Sequence, residues 1–177
     1  MKKTFINIAL IISFFIVFII QVNLFSSMKI DGVMPNLFII YILFIGLYLN
    51  KTAGVTYGII CGILLDFFIG KKVGISAIML GVVGFIGGAF DKNFSKENKI
   101  TIMAMTAIVT LVYEIGIYCI GFLIYRYQIE IVTFLKILAI ECVYNSLLII
   151  IMYPLMQNLG YKIEEEYKGS KILTRYF

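Results

Sequence analysis

Apolar residues run along this chain in six long blocks separated by short polar turns. The blocks cover about residues 5–25, 33–49, 53–69, 73–90, 100–125 and 131–156. About 20 apolar residues suffice to cross the hydrocarbon core of a bilayer, so each block is read as a transmembrane helix. The pattern predicts an all-α integral membrane protein. It forms a single six-helix transmembrane bundle over 1–177, with 157–177 as a polar tail. Met1-Lys2-Lys3 before the first block could open a signal peptide. The block is too long for that, no A-x-A cleavage site follows, and it is read as a retained first span.

The third block carries a second, finer pattern. Gly54, Gly58, Gly62, Asp66 and Gly70 recur every four residues, so on a helix they form one bare stripe broken by a carboxylate. Gly74, Ala77, Gly81, Gly84 and Gly88 make a similar face on the fourth block. Each helix glycine costs about 1 kcal/mol relative to alanine in water, whereas in a membrane small residues let backbones approach closely. Two such faces joined by a short turn suggest an antiparallel pair in close contact. The alternative is that each stripe meets a different helix or a partner protein. Pro35 falls in the first turn of the second block, where a missing N–H is tolerated. Pro154 near the end of the sixth is expected to kink or end it.

Composition agrees with the membrane reading: 62% of residues are hydrophobic and 14% charged, against about 25% charged in soluble domains. With six spans, Lys2, Lys3, Lys51, Lys92, Lys96, Lys99, Lys162, Lys168, Lys171 and Arg175 share one side. Lys29, Lys71, Lys72, Arg126 and Lys136 fall on the other. The excess of positive charge places both termini in the cytoplasm. The formal charge of +5 thus reads as topology rather than as a nucleic-acid surface. Asp91 to Lys99 is expected to be an aqueous loop.

Candidate chemistry is sparse. Histidine is absent, and Cys61, Cys119 and Cys142 stand singly inside apolar runs, as small packing residues do. Asp66 could pair with Lys71 or Lys72, cap a neighbouring helix, or belong to a partner site; structural pairing is the preferred reading. Glu114 lies near the middle of the fifth span, where a charge costs roughly 2.5–3.5 kcal/mol. It should face the bundle, with Tyr113, Tyr118 and Asn145 as hydrogen-bond partners. Glu141 and Asn145, four residues apart, present one polar face, and Lys136 can snorkel outward. Neither a triad, a phosphate loop nor a metal cluster is present. No enzyme activity, metal or cofactor is expected.

The segment Gly62-Ile-Leu-Leu-Asp66, Phe67-Phe-Ile-Gly70, a short turn and Gly74-Ile-Ser-Ala77 resembles the hallmark of MreD, the rod shape-determining membrane protein family. Met34-Pro35-Asn36-Leu37 with Tyr41 is similar to its proline-led second span, and Tyr144-Asn145 with Pro154 to its last. Met34 and Asn36 stand where the family often has a basic residue and an aspartate. Val73 stands where it commonly has proline or leucine. The resemblance implies a non-enzymatic subunit of the cell-elongation machinery, which builds peptidoglycan, in a bacterial cytoplasmic membrane. Its partner would be MreC, a single-span protein, linking it indirectly to MreB filaments and to RodA with its transpeptidase. It also implies a fold similar to the S components of energy-coupling factor transporters. A true vitamin-binding S component is the competing reading, although the first span lacks that class's A-x-x-x-A face and metal capture would want histidine. A small channel or transporter using Glu114 is a third, without the internal repeats of many transporters.

Overall fold

The computed structural model describes residues 2–69, 74–93, 96, 98–125 and 130–168. Its helices are α1 (Lys2–Ser27), α2 (Leu37–Tyr48), α3 (Lys51–Ile69), α4 (Ile75–Asn93), α5 (Lys99–Tyr125) and α6 (Ile131–Lys168). Among the described residues the one extended pairing is an isolated bridge between Ile30 and Val33. α1, α3, α5 and α6 are long and apolar enough to cross a membrane; the apolar helical stretches Leu37–Tyr48 and Ile75–Asp91 are shorter.

α2 is the centre of the bundle. It is apolar on every side, and all twelve of its residues are buried, as expected of a helix with no wet or lipid face. It touches each of the other five helices. At 1.5 Å per residue it is about 18 Å long, well short of the ~30 Å hydrocarbon core. Its shortness comes from its start. The apolar run predicts a helix from Val33 with Pro35 in the first turn, but the helix begins at Leu37 and Pro35 lies before the cap. Asn36 is that cap: it is extended at φ −110°, ψ 92°, and its side-chain oxygen accepts the Phe38 N–H at 3.2 Å. Proline pushes the residue before it out of the α region, and asparagine is among the strongest N-caps; together they set the boundary.

α3 and α4 form the most extensive helix pair, and α4 also packs on α2. α5 pairs with α6. α1 is tied to α2 by the Tyr41 hydroxyl, which donates to the Leu10 carbonyl at 2.6 Å and lies 2.8 Å from the Ser13 hydroxyl. Outside these contacts the helices show large apolar side chains, among them Phe67, Ile100, Leu123, Val132 and Ile151. That surface suits lipid.

The end of the bundle where α2 finishes departs from the expected loop and tail. α4 runs on through Asp91 to Asn93, and α6 passes through Pro154 without ending and continues to Lys168. At 38 residues α6 is about 57 Å long, so it extends past any bilayer. Lys96, only 9% exposed, bonds Asp91 at 2.5 Å and both Glu164 oxygens at 2.9 Å, with its ammonium 4.9 Å from the Tyr48 ring centre. Gly160 leaves room for that same ring, and Tyr161 stacks on it edge-on at 5.8 Å. The stretch Asp91–Lys99, expected to be a wet loop, therefore contributes a buried cation. The stretch after Met156, expected to be a tail, is the helix that cation holds. Residues 169–177 lie outside the described residues.

Removing one member of a buried ion pair leaves a charge uncompensated, at a cost of about 3–5 kcal/mol. Lys96→Ala is therefore expected to lower the melting temperature of the detergent-purified protein and to expose the region after Pro154 to protease. A melting curve and cleavage pattern like the parent's would show that the cluster does not anchor α6.

Candidate functional site

The two small-residue stripes meet each other. A Cβ at Gly54 or Gly84 would fall within 3.0 Å of the other's backbone, and one at Gly58 or Gly62 would strike the backbone of Leu80 or Ala77. The order, 54 against 84, 58 against 80 and 62 against 77, is antiparallel. Gly88 lies against the backbone of Lys51 at the start of α3. Approach this close brings Cα–H groups onto carbonyls, contacts worth about 0.5–1 kcal/mol each. It also maximises dispersion, the main attraction available between helices in lipid. Gly81 differs, since its nearest neighbour is the Ile59 side chain at 3.1 Å.

A third helix joins this seam from a glycine the stripe pattern missed. A Cβ at Gly46 of α2 would lie 2.5 Å from the Gly84 carbonyl oxygen, and one at Gly87 would lie 2.9 Å from that of Leu43. α4 is thus gripped from two sides. The available signal was a lone glycine in an otherwise large-residue run, Leu37 to Leu49.

Asp66 is 1% exposed and caps the neighbouring helix, one of its three sequence readings. Its Oδ2 accepts the Gly74 N–H at 2.8 Å and the Ser76 N–H at 3.2 Å. A carboxylate there satisfies otherwise unpaired donors and complements the positive helix end. Gly74 has φ +112°, a conformation open to glycine and strained for other residues. Gly70, Lys71 and Lys72 lie outside the described residues.

The start of α2 is satisfied in the same way, by amides. Gln21 of α1 donates to the Pro35 carbonyl at 2.8 Å and accepts the Leu37 N–H at 2.9 Å. Asn145 of α6 accepts the Asn36 N–H at 2.8 Å and donates to Thr110 of α5 at 3.0 Å. Glu141, 5% exposed, lies beside the side chains of Glu114, Asn145 and Asn36. Tyr113 lies beside those of Ser76, Asn36 and Glu114. Glu114, Glu141 and Asn145 are therefore brought together, with Tyr113 as their expected neighbour, while Tyr118 instead stacks on Phe134 at 4.1 Å. Asp66 and Ser76 link the same layer to α3 and α4. Gln21, Asn36, Ser76 and Thr110 were missed by sequence reasoning. Gln21 carried a signal, an amide inside an otherwise apolar block. Lys136 pairs with Asp31 in the turn after α1, both more than half exposed, where an ion pair contributes little.

This polar layer joins all six helices. Among the described residues no group of three or more His, Cys, Asp or Glu side chains is placed to hold a metal ion. A groove of about 410 Å³ lies on the outer face of α3 and α4, lined by Val55, Ile59, Ala77, Ile78, Gly81, Val82 and Phe85. Its small residues are Gly81 and Ala77, the latter also a member of the α3–α4 seam.

Gly58→Leu or Gly84→Leu should prevent α3 and α4 from closing and abolish recovery of monodisperse protein. Asp66→Ala should cost about 1.5–3 kcal/mol, the value of hydrogen bonds to a charged group, read as a lower melting temperature. Normal yield and melting from the glycine variants would contradict the seam described above.

Residues 1–163 match the sequence model of the family described as rod shape-determining protein MreD. No curated protein and no solved structure matches. The family match takes in all of α1 to α5 and most of α6, including the glycine seam, the Asp66 cap and the polar layer around Asn36 and Asn145. The chain belongs to the MreD family of rod shape-determining membrane proteins.

Proposed function

We propose that this protein is a non-enzymatic scaffold subunit of the bacterial cell-elongation machinery, and that it binds the single transmembrane helix of MreC in the α3–α4 groove. Through MreC it would be connected to MreB filaments and to RodA with its transpeptidase partner. The excess of Lys and Arg on one side supports a cytoplasmic-membrane setting with both termini in the cytoplasm.

The observation that carries this reading is the groove itself. It is apolar throughout, and Ala77 and Gly81, four residues apart on α4, lower its floor. A second helix can approach such a floor backbone to backbone, whereas an interface built of large side chains would hold it away. Much of the remaining helix exterior carries large aliphatic or aromatic side chains, such as Phe67, Ile100, Leu123, Val132 and Ile151.

Ile78 and Val82 border the groove and are exposed, so larger side chains there leave the fold intact. Ile78→Trp and Val82→Trp are expected to reduce recovery of co-expressed MreC in a detergent pull-down about tenfold. Ile108→Trp, on the exposed face of α5, should leave it unchanged. If the groove variants retain MreC and the α5 variant loses it, the docking face is elsewhere.

A further inference from the structure

α1 and α3 make ring contacts at one end, where Phe18 and Phe68 lie 5.1 Å apart and Phe15 and Phe68 6.5 Å. Toward the start of both helices a cleft of about 550 Å³ opens between them, within the usual range of small-molecule pockets, about 300–1,000 Å³. Along α3 it extends from Thr52 to Leu64, about 18 Å of helix. One leaflet of hydrocarbon is about 15 Å thick, half of the ~30 Å core.

The lining changes character along that length. Leu10, Phe14, Ile60 and Leu64 line the part nearer the ring contacts, and Asn7, Thr52, Thr56 and Tyr57 line the mouth, with Tyr167 of α6 beside Tyr57. Thr56 is committed to the Thr52 carbonyl at 2.9 Å. The Asn7 amide and the Tyr57 hydroxyl make no hydrogen bond within the described residues. A neighbouring transmembrane helix is a poor partner for them, because its backbone carbonyls are bonded internally. Ester and phosphate oxygens of a lipid offer acceptors at that depth.

We propose that this cleft is a binding site for one glycerophospholipid, with an acyl chain between α1 and α3 and the phosphate-ester region at Asn7 and Tyr57. This site is separate from the α3–α4 groove and does not depend on the identity of the protein partner. Bound lipid would fill the gap that α1, held by α2 and α6, leaves beside α3.

Native mass spectrometry of the delipidated full chain, titrated with palmitoyl-oleoyl phosphatidylglycerol or phosphatidylcholine, tests this. The expected result is one retained lipid per chain with either headgroup, since both carry the phosphate-ester oxygens that Asn7 and Tyr57 would meet. Ile60→Trp fills the cleft from a half-exposed position and should abolish the retained adduct, while Ile108→Trp on α5 should not. Tyr57→Phe removes one oxygen and should weaken binding about tenfold, the scale of a hydrogen bond to a charged group. It decides the matter if Ile60→Trp is not recovered folded. Equal adducts in the parent, Ile60→Trp and Tyr57→Phe would overturn the site. So would a protein helix, rather than lipid, crosslinking to position 60.

Discussion

Within lipid no water is available to an unpaired N–H or C=O, and two helices of this protein start inside the bundle. Every other feature of the core follows from how those starts are satisfied. α4 begins where the chain returns from α3, and the carboxylate of Asp66 takes its first amides. α2 begins after an extended Pro35-Asn36 segment, and Gln21 and Asn145 reach it from helices on either side. Irregular backbone at membrane depth is tolerated only where protein surrounds it, and all twelve residues of α2 are buried.

The same condition places the polar side chains. Glu114 and Glu141 would be expensive on a lipid-facing surface. In the bundle they lie beside Asn36, Asn145 and Tyr113, close to the amide-rich starts of the short helices. The glycine seam is the second device and acts by shape rather than by charge. It brings α3 onto α4 and α4 onto α2 at backbone distance, so the short central helix meets small residues on α4 where side chains would hold the helices apart. One device orients the helix starts and the other closes the helix bodies.

The exterior is left for lateral contacts. Large apolar side chains cover most of it, with the shallow α3–α4 groove and the deeper α1–α3 cleft as its concave features. The groove is lined by apolar residues and Gly81, whereas the cleft carries Asn7, Thr52, Thr56 and Tyr57 at one end. At the far end of the bundle Lys96 ties α4 and α6 together through Asp91 and Glu164, carrying helical structure beyond the apolar core.

Periodicity alone was enough for the six helices, because a block of apolar residues in a chain with so few charges has one stable home, the bilayer, and one stable form there, the helix. The four-residue recurrence of Gly54, Gly58 and Gly62 made the small face legible for a similar reason, since helix geometry alone stacks those positions. The family likeness was legible in the Gly62–Ala77 segment. Which surface the stripe would meet, which of three roles Asp66 would take, and how far α6 would run were not encoded in any local pattern. They depend on residues distant in sequence: Gly84 beside Gly54, Ser76 beside Asp66, Lys96 beside Glu164. What the sequence by itself determined was the set of helices and their apolar and bare faces, which are properties of single segments. The tertiary structure alone decided the buried central helix and the polar layer, because a hydrogen bond between distant segments exists only once packing has brought them together.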